Sequence, residues 1–540
     1  MEQVAPTRPR RLVGLEVSPG SPGSETRIVY DPHRERYLRL SRDAATLLEA
    51  LDGSRDAGEL AVQLGPPFTA ETIGDAVARL QAAGLLESSS RPVAARGRIV
   101  YRPPLTIQLT LFDRLAALDR LRPLGRVLFG RTGTAVTAGL VGAGALACAL
   151  RPELLVDALA RPVPLAVSVA AIAGLLLLTS LHELSHALML ATAGGRPRRL
   201  GVMLFYLSPV LFCDVSDAWR LPGPGDRRRV TLAGVRVNFA GAGGLAVGAA
   251  LTGPGQLGTG LMLTAVASVG IGVLNLVPFV KLDGYLALMS QLDLPGLRDS
   301  CLDDARAVLV RAILGGRRPE PRLPRRWWAI PFGLACMVCP VVLVVLALER
   351  YVSLLLQLGR GGAALWLGVL AVVAVLAADR GRRLLLRARA QGARPARMGA
   401  GIGGIALVAT AALLAPVAPT ARAGWEAAGS RVWIADPVSW GQQLPAGSQV
   451  QLETQGALVQ PAAGSAVVGE RAPDGSVRVG AITPVEGDVA IPARRYVAQN
   501  VTRRPGAPQQ GVATVRLSPR PLGAAIADAW VGRPIRELLQ

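Results

Sequence analysis

Lysine, histidine and aromatic side chains are scarce in this chain of 540 residues. Lys281 is the only lysine, there are three histidines, and aromatic residues make up 4% of the chain. The net charge is nevertheless +21, so the positive charge lies almost entirely on arginine. A basic chain can bind nucleic acid, but these arginines cluster in short loops beside apolar runs, as in the cytoplasmic loops of membrane proteins. We therefore expect membrane lipid, and no nucleic acid, among the partners.

Cysteine is also sparse, and the N-terminal region lacks a long apolar run. The five cysteines, at positions 148, 213, 301, 336 and 339, make no evident disulfide framework. Cys336 and Cys339 are spaced as C-x-x-C, but they lie in a predicted membrane helix without partners, so we interpret them as small apolar residues. The first 100 residues contain no uncharged apolar run and so show no signal peptide.

Long apolar runs, in contrast, are abundant in the rest of the chain. Hydrophobic residues make up 51% of the sequence, which is too many for an ordinary soluble protein. Seven runs are long enough to span a bilayer as helices, and we predict them at 132–150, 163–193, 230–252, 257–280, 327–348, 363–378 and 398–417. Arginine clusters before the first run, between the second and third, and between the sixth and seventh mark cytoplasmic loops. The chain is therefore expected to be a multi-pass protein of the cell membrane, with a cytoplasmic N-terminus and an extracytoplasmic C-terminus.

The second apolar run contains the motif H-E-x-x-H. His182 and His186 lie one helical turn apart on one face, so both imidazoles can bind one zinc ion. Glu183, beside the first histidine, can act as general base on a water bound to that zinc. An ionised residue inside a membrane helix costs on the order of 2–3 kcal/mol, so such residues are functional candidates by default. The alternative is a chance match, because H-E-x-x-H also occurs in soluble helices.

A second motif ends the fourth apolar run and contains Asn275, Pro278, Asp283 and Gly284. Two histidines leave zinc short of a third protein ligand, which the carboxylate of Asp283 would supply. Pro278 removes a backbone donor and is expected to break or kink the helix. Gly284 lets the chain turn close to the site. The charge pattern independently places Asp283 at the cytoplasmic end of its helix, at a depth similar to that of His182 and His186.

Together, H-E-x-x-H and N-x-x-P-x-x-x-L-D-G resemble the site-2 proteases, which are zinc intramembrane metalloproteases. The resemblance covers residues 161–290 well. It implies that His182, His186 and Asp283 hold Zn²⁺ and that Glu183 is the catalytic base. It also implies a catalytic role for Asn275 in stabilising the oxyanion, for which a hydrogen bond between helices is the alternative.

Residues 201–221 lie between the second and third apolar runs and are too short for a full span. Cytoplasmic arginines flank both ends, so we predict a segment of irregular backbone that re-enters the membrane and lines a watery cavity. The segment resembles the peptide-processing branch of site-2 proteases through Pro209, Asp214, Ser216, Asp217 and Trp219. By that resemblance Asp214 and Asp217 would bind substrate or gate water. The alternative is an interfacial anchor formed by the Trp-Arg pair.

Three regions flank or precede the predicted membrane domain at 132–422. Residues 1–100 contain two alternating strand patterns around Asp31-Pro32, then three helical patterns, the third with Thr69 as N-cap. They predict a winged-helix-like domain, and residues 30–41 are similar to the domains that bind a leader peptide in ribosomal-peptide pathways. A generic regulatory winged helix is the alternative, and His33 is interpreted as a polar turn residue.

Residues 101–131 are expected to be an amphipathic connector along the membrane surface. Residues 423–540 are expected to be a small extracytoplasmic all-β domain.

The sequence thus predicts a mainly α, polytopic membrane protein with about seven transmembrane helices, a winged-helix-like α/β head and a small all-β tail. The preferred function is an intramembrane zinc metallo-endopeptidase that removes the leader from a ribosomally synthesised, modified peptide, for which overall resemblance suggests the daptide type. Its partners would be the precursor peptide and an exporter or modifying enzymes. One alternative is a regulatory site-2 protease that cleaves a membrane-bound signalling protein. The other is a non-catalytic export or immunity component with a structural zinc site.

Overall fold

The computed structural model describes most of the chain. The described residues are 8–17, 26–31, 36–87, 98–102, 106–113, 116–205, 208–221, 223–294, 296–315, 320–323, 326–356, 358–390, 392–429, 431–438, 444–487 and 489–539. Pro32 of the predicted turn and His33 lie outside these residues.

The head is a three-stranded antiparallel sheet packed on three helices. The strands are β1 (Glu16–Val17), β2 (Thr26–Asp31) and β3 (Arg36–Ser41), in the order β1-β2-β3. The helices are α1 (Arg42–Ala50), α2 (Ala57–Leu64) and α3 (Ala70–Ala82). Thr69 caps α3 as predicted, because its side chain accepts the N–H of Thr72. The sheet is held to the helices by apolar residues such as Val29 and Leu48, which are fully buried.

The connector contributes two strands before it becomes helical. These are β4 (Ile99–Arg102) and β5 (Thr106–Asp113), which pair antiparallel. A 3-10 turn (Ala116–Leu121) and α4 (Arg122–Phe129) follow. Gly125 of α4 packs closely against Leu188 of the later helix that carries the H-E-x-x-H motif. Apolar side chains are exposed both on β5, at Leu111 and Phe112, and on α4, at Leu124 and Val127.

The first half of the membrane domain begins with α5 (Arg131–Leu150), α6 (Pro152–Ala160), β6 (Val163–Pro164) and α7 (Leu165–Thr192). The segment predicted to re-enter the membrane as irregular backbone instead forms β7 (Arg199–Phe205) and β8 (Ser208–Cys213), then a 3-10 turn (Ser216–Arg220). These strands extend the connector strands into one antiparallel sheet of order β4-β5-β7-β8. The prediction of irregular backbone was wrong because partner strands from the connector satisfy the backbone groups of this segment.

The second half consists of α8 (Pro224–Thr252), α9 (Gln256–Asn275), α10 (Asp283–Leu292), α11 (Leu297–Leu314), α12 (Ala329–Leu356), α13 (Gly359–Ala390) and α14 (Pro395–Leu414). Within the described part of the chain, seven helices are long and apolar enough to cross a membrane: α5, α7, α8, α9, α12, α13 and α14. They coincide with the seven predicted runs. The fourth ends five residues earlier than predicted, at Asn275, and the chain then loops through Pro278.

The tail is a β-barrel followed by short helices. After β9 (Pro416–Val417), its strands are β10 (Thr420–Ala428), β11 (Arg431–Pro437), β12 (Gln449–Glu453), β13 (Ala462–Arg471), β14 (Gly475–Arg478), β15 (Val485–Glu486), β16 (Ala490–Arg503), β17 (Gln510–Arg516) and β18 (Arg520–Pro521). The sheet order is β11-β10-β17-β12-β13-β16-β14, and pairing of β11 with β16 closes it. Trp425 and Ile434 are buried in its core. The chain ends in α15 (Leu522–Ala527), a π-helical turn (Asp528–Gly532) and α16 (Arg533–Leu539).

The barrel contacts the membrane domain beside the start of α7. Strand β15 pairs in parallel with β6, with Val485 opposite Val163. The backbone N–H groups of Leu458 and Val459 both donate to the carbonyl of Leu159, at 3.0 Å each. Gly456 is required there, because an added Cβ would lie 2.6 Å from the Cα of Ala160.

Candidate metal centre

Helix α7 carries both histidines close to its C-terminal end. The helix is built largely from leucine and alanine, which have high helix propensity. His182 and His186 are one turn apart, and their ring centroids are 4.9 Å apart. Both rings are buried. The predicted sharing of one helix face is therefore confirmed.

Asp283 reaches these histidines from the loop that follows α9. Helix α9 ends at Asn275, and Asp283 is the first residue of α10. The loop folds back so tightly that a Cβ at Gly284 would overlap the carbonyl oxygen of Leu276. This close approach, and not an unusual backbone angle, is the reason for glycine at that position.

Three possible ligand atoms lie close together, and they belong to the three residues that the sequence predicted. The Oδ2 atom of Asp283 lies 3.0 Å from Nε2 of His182 and 3.2 Å from Nε2 of His186. The two Nε2 atoms are 3.2 Å apart. Neighbouring ligand atoms on a tetrahedral zinc ion at ordinary bond lengths are about 3.3 Å apart. His182, His186 and Asp283 thus form a buried group that could hold a metal ion.

The two imidazole rings differ in the surroundings of their second nitrogen, Nδ1. Nδ1 of His186 lies 2.7 Å from the backbone carbonyl of Val230 in α8. In the neutral ring Nδ1 therefore carries the proton, and Nε2 presents a lone pair to the centre. Nδ1 of His182 is buried and has no hydrogen-bond partner among the described residues. One ligand ring is therefore oriented by the protein backbone and the other by packing alone.

The charge state of Asp283 suits a ligand. Burial opposes its ionisation, but whenever the imidazoles are protonated on Nε2, the charge of His186 and the hydrogen bonds from both rings hold the pKa of this carboxyl below its ordinary value. Asp283 is therefore an anion at neutral pH and can coordinate a cation directly.

Helix α8 forms the wall behind the imidazoles, and the sequence did not identify it. A Cβ on Gly234 would lie 2.5 Å from Nε2 of His186 and would also overlap Nε2 of His182. Asn238, one turn further along the helix, is buried, and its side-chain nitrogen has no partner in the described part of the chain. A glycine followed four residues later by a polar residue, inside an apolar helix, is the signal that could have identified this wall.

Glu183 lies beside the three ligand atoms and is not one of them. Its Oε1 atom is 3.9 Å from Nε2 of His182. Its carboxylate accepts a hydrogen bond from the backbone N–H of Cys213, the last residue of β8. The sheet that includes β8 therefore contacts the H-E-x-x-H motif directly.

The other predicted site residues have different surroundings. Asn275 is half-buried at the end of α9, and its side chain makes no hydrogen bond with the described residues. Asp214 accepts the N–H of Ser216, the first residue of the 3-10 turn, at 3.0 Å. Asp217 is buried and accepts the N–H of Arg196 at 2.7 Å. Neither aspartate belongs to the His-His-Asp group.

Comparisons with known proteins found no relatives of this chain. No family model, no curated protein and no solved structure matches it.

Proposed function

We propose that this chain is an intramembrane zinc metallo-endopeptidase of the site-2 protease type. The observation that carries the proposal is a buried His-His-Asp group with a non-coordinating glutamate 3.9 Å from one of its atoms. A structural zinc site is normally closed by four protein ligands, whereas a catalytic site has three and keeps one position open. Three possible ligands beside a carboxylate that is not one of them therefore favour a catalytic zinc site over a structural one.

Zinc fits the donor set better than the hard cations do. Two imidazole nitrogens and one carboxylate oxygen suit zinc, whereas calcium and magnesium prefer oxygen ligands throughout. When bound, zinc supplies Lewis-acid chemistry, polarising a carbonyl and lowering the pKa of water to about 7. Glu183 is placed to accept a proton from the attacking water and to return it to the leaving amine. The amide of Asn275 has no other partner in the described residues and is our candidate donor to the oxyanion.

An extended peptide is the substrate that the surrounding sheet accommodates. Strand β8 is at the edge of its sheet, and an edge strand offers unpaired backbone groups to a further strand. Backbone groups alternate in direction along a strand, so Leu211 turns its N–H to the same side as Cys213. A peptide paired with β8 would therefore pass beside Glu183. This supports cleavage of an unfolded backbone and not of a folded domain.

We further propose that the substrate is a precursor peptide whose leader is removed during maturation or export. The head supports this reading, because its sheet also ends in an edge strand, β3, to which a leader could add as a further strand. The arginine pattern and the seven apolar helices support a cell-membrane protein with the head and the metal centre on the cytoplasmic side.

The experiment separates binding of zinc from catalysis. Purified His182→Ala and Glu183→Gln variants are compared with the unchanged protein for zinc content by atomic emission and for cleavage of an extended peptide library. Glu183→Gln should retain about one zinc per chain and lose cleavage by at least about 10³-fold, because the base is missing. His182→Ala should lose both.

Ser180→Ala is the control, because Ser180 is exposed on the same helix and its hydroxyl donates only to the backbone carbonyl of Leu176, one turn earlier. Full cleavage by Glu183→Gln would contradict the assignment of the base. Cleavage confined to transmembrane segments of signalling proteins would favour the regulatory alternative.

A further inference from the structure

The two faces of the head's sheet have different partners. Residues directly opposite each other in antiparallel strands share a face. Val29 lies opposite Val17 and Leu38, and this face packs on the helices of the head. Tyr30 lies opposite Glu16 and therefore belongs to the other face. The second face is turned away from the core of the head.

This second face contacts the membrane domain through pairs of polar side chains. Arg220 forms an ion pair with Glu16 at 2.8 Å. Arg198 hydrogen-bonds the hydroxyl of Tyr30, and its guanidinium carbon lies 4.1 Å from the centre of that ring. Arg39 shares this face, because it lies opposite Ile28, the neighbour of Tyr30 but one, and it makes a further contact. These pairs make the sheet a layer between the head's helices and the membrane domain.

Two of the arginines that hold the head converge on Asp217. The carboxylate lies 3.7 Å from Arg198 and 3.5 Å from Arg220. It is buried, and the N–H of Arg196 fixes its other oxygen. Asp217 therefore orients the arginines that contact Glu16 and Tyr30. Head docking thus offers an explanation for Asp217 of the D-x-S-D-x-W pattern besides the predicted contact with substrate.

The third arginine, Arg39, binds the end of the helix that begins with Asp283. Its Nη2 atom lies 2.7 Å from Oδ1 of Asp293, and its Nη1 donates to the backbone carbonyl of Asp293 at 3.2 Å. Asp293 is the C-cap of α10 and has a positive φ of 51°. The same Oδ1 atom lies 2.6 Å from Nη2 of Arg227. One carboxylate oxygen thus joins the head, α10 and the first turn of α8.

We propose that Asp293 is a positioning residue for the metal centre. With Arg39 and Arg227 it forms a latch through which the docked head fixes α10 and, at the other end of that helix, Asp283. The latch rests on the proposed function only in taking Asp283 as a metal ligand. Asp293 does not touch substrate or metal and acts through α10.

Helix geometry explains why such a latch has an effect. Helix α10 has ten residues, which corresponds to about 15 Å of rigid rod. Ligand atoms must lie within about 0.2 Å of their preferred distances for full affinity. A shift of the helix end by a fraction of an ångström therefore weakens coordination. Arg227 is nearly buried, with 7% of its side chain exposed, so losing its anion would disturb α8 as well.

The test uses the full-length protein in detergent and two measurements. The first is the zinc dissociation constant, obtained by competition with a chelator. The second is hydrogen exchange of the α10 amides, which needs neither zinc nor a substrate. The variants are Arg39→Ala, Arg39→Lys and Asp293→Asn, since asparagine tolerates a positive φ. Arg42→Ala is the matched control, because Arg42 is exposed in the same head three residues further on.

Arg39→Ala should weaken zinc binding about tenfold and speed exchange in α10, and Asp293→Asn should do so more strongly. Arg39→Lys keeps the charge and should recover most of the affinity, whereas a residue needed only for folding would show no such recovery. Arg42→Ala should match the unchanged protein.

Unchanged exchange and unchanged zinc affinity in both Arg39→Ala and Asp293→Asn would overturn the latch. If the unchanged protein bound no zinc, the proposed function would fail, and exchange in α10 would still decide whether the latch exists.

Discussion

At Gly234, the two imidazoles leave no room for even one side-chain atom. The two imidazole Nε2 atoms face the backbone of α8, and an added methyl would lie 2.5 Å from one and overlap the other. These two nitrogens are among the three atoms that could bind a metal ion. Glycine at this position is therefore a requirement of the site and not of the helix, which would be more stable with alanine.

We expect Gly234→Ala to reduce zinc affinity by about 10- to 100-fold, because the imidazoles must turn away from the methyl group. The measurement is chelator competition combined with thermal melting. Gly244→Ala on the same helix is the control, since its Cβ would touch only Leu140, at 4.0 Å. The control should bind zinc normally and melt at the same temperature or slightly higher. Normal zinc affinity in Gly234→Ala would show that the site lies elsewhere.

The group of His182, His186 and Asp283 that could hold a metal ion was predicted from the sequence, and its surroundings were not. His182, Glu183 and His186 are polar residues in an apolar helix, and this cost alone marks them. Asp283 follows from the need for a third ligand. Gly234 carries a weaker signal, its spacing of four residues from Asn238, and Val230 carries none, because a backbone carbonyl becomes part of a site only through a contact distant in sequence.

At the scale of helices and strands, the sequence predicted the long apolar helices well. Their length and composition identify them with no knowledge of partners. The ends were less reliable. The fourth helix stops at Asn275 and not near Val280, because the chain leaves the helix ahead of Pro278. Pairing of β7 and β8 with strands of the connector is a long-range contact, and no local pattern encodes it.

Small residues set the distance between membrane helices. A Cβ on Gly144 in α5 would lie 2.5 Å from the Cα of Gly243 in α8, so the two backbones are in direct contact. Close packing of this kind stabilises helix pairs in lipid. Among the four glycines at the start of α14, a Cβ would clash only at Gly401, which meets the backbone of Ile313, while Gly399, Gly403 and Gly404 have open space.

We expect Gly144→Ala to lower the apparent melting temperature, at a cost of about 1–3 kcal/mol for overpacking two backbones. Gly142→Ala, two residues earlier in α5, has nothing within 4 Å of its added Cβ and should be neutral or slightly stabilising. Tryptophan fluorescence during heating in detergent gives both values. Equal melting temperatures for the two variants would show that the close contact between α5 and α8 does not contribute to stability.

At the scale of the whole molecule, orientation in the membrane follows from charge. The loop between α13 and α14 follows Arg380, Arg382, Arg383 and Arg387, which favour the cytoplasm. With seven crossings, we expect the barrel on the opposite side of the membrane from the head.

We expect alkaline phosphatase to be active when fused after residue 540, and inactive when fused before residue 1 or inserted after Gly392, because the enzyme needs an oxidising compartment. A fluorescent protein that matures only in the cytoplasm serves as the matched reporter and should give the opposite pattern. An active phosphatase at Gly392 would reverse the assignment of that loop.

The pairing of β6 with β15 has a consequence for the order in which the parts of the protein fold during synthesis. Val163 is two residues before α7, and its partner Val485 belongs to the barrel. Synthesis proceeds from the N-terminus, so more than half of the chain is made after α7 before this contact can form. The start of the helix that carries the two histidines therefore gains its strand pairing only after the barrel has been synthesised. A chain interrupted before residue 485 would contain His182, His186 and Asp283 and still lack this support at the start of α7.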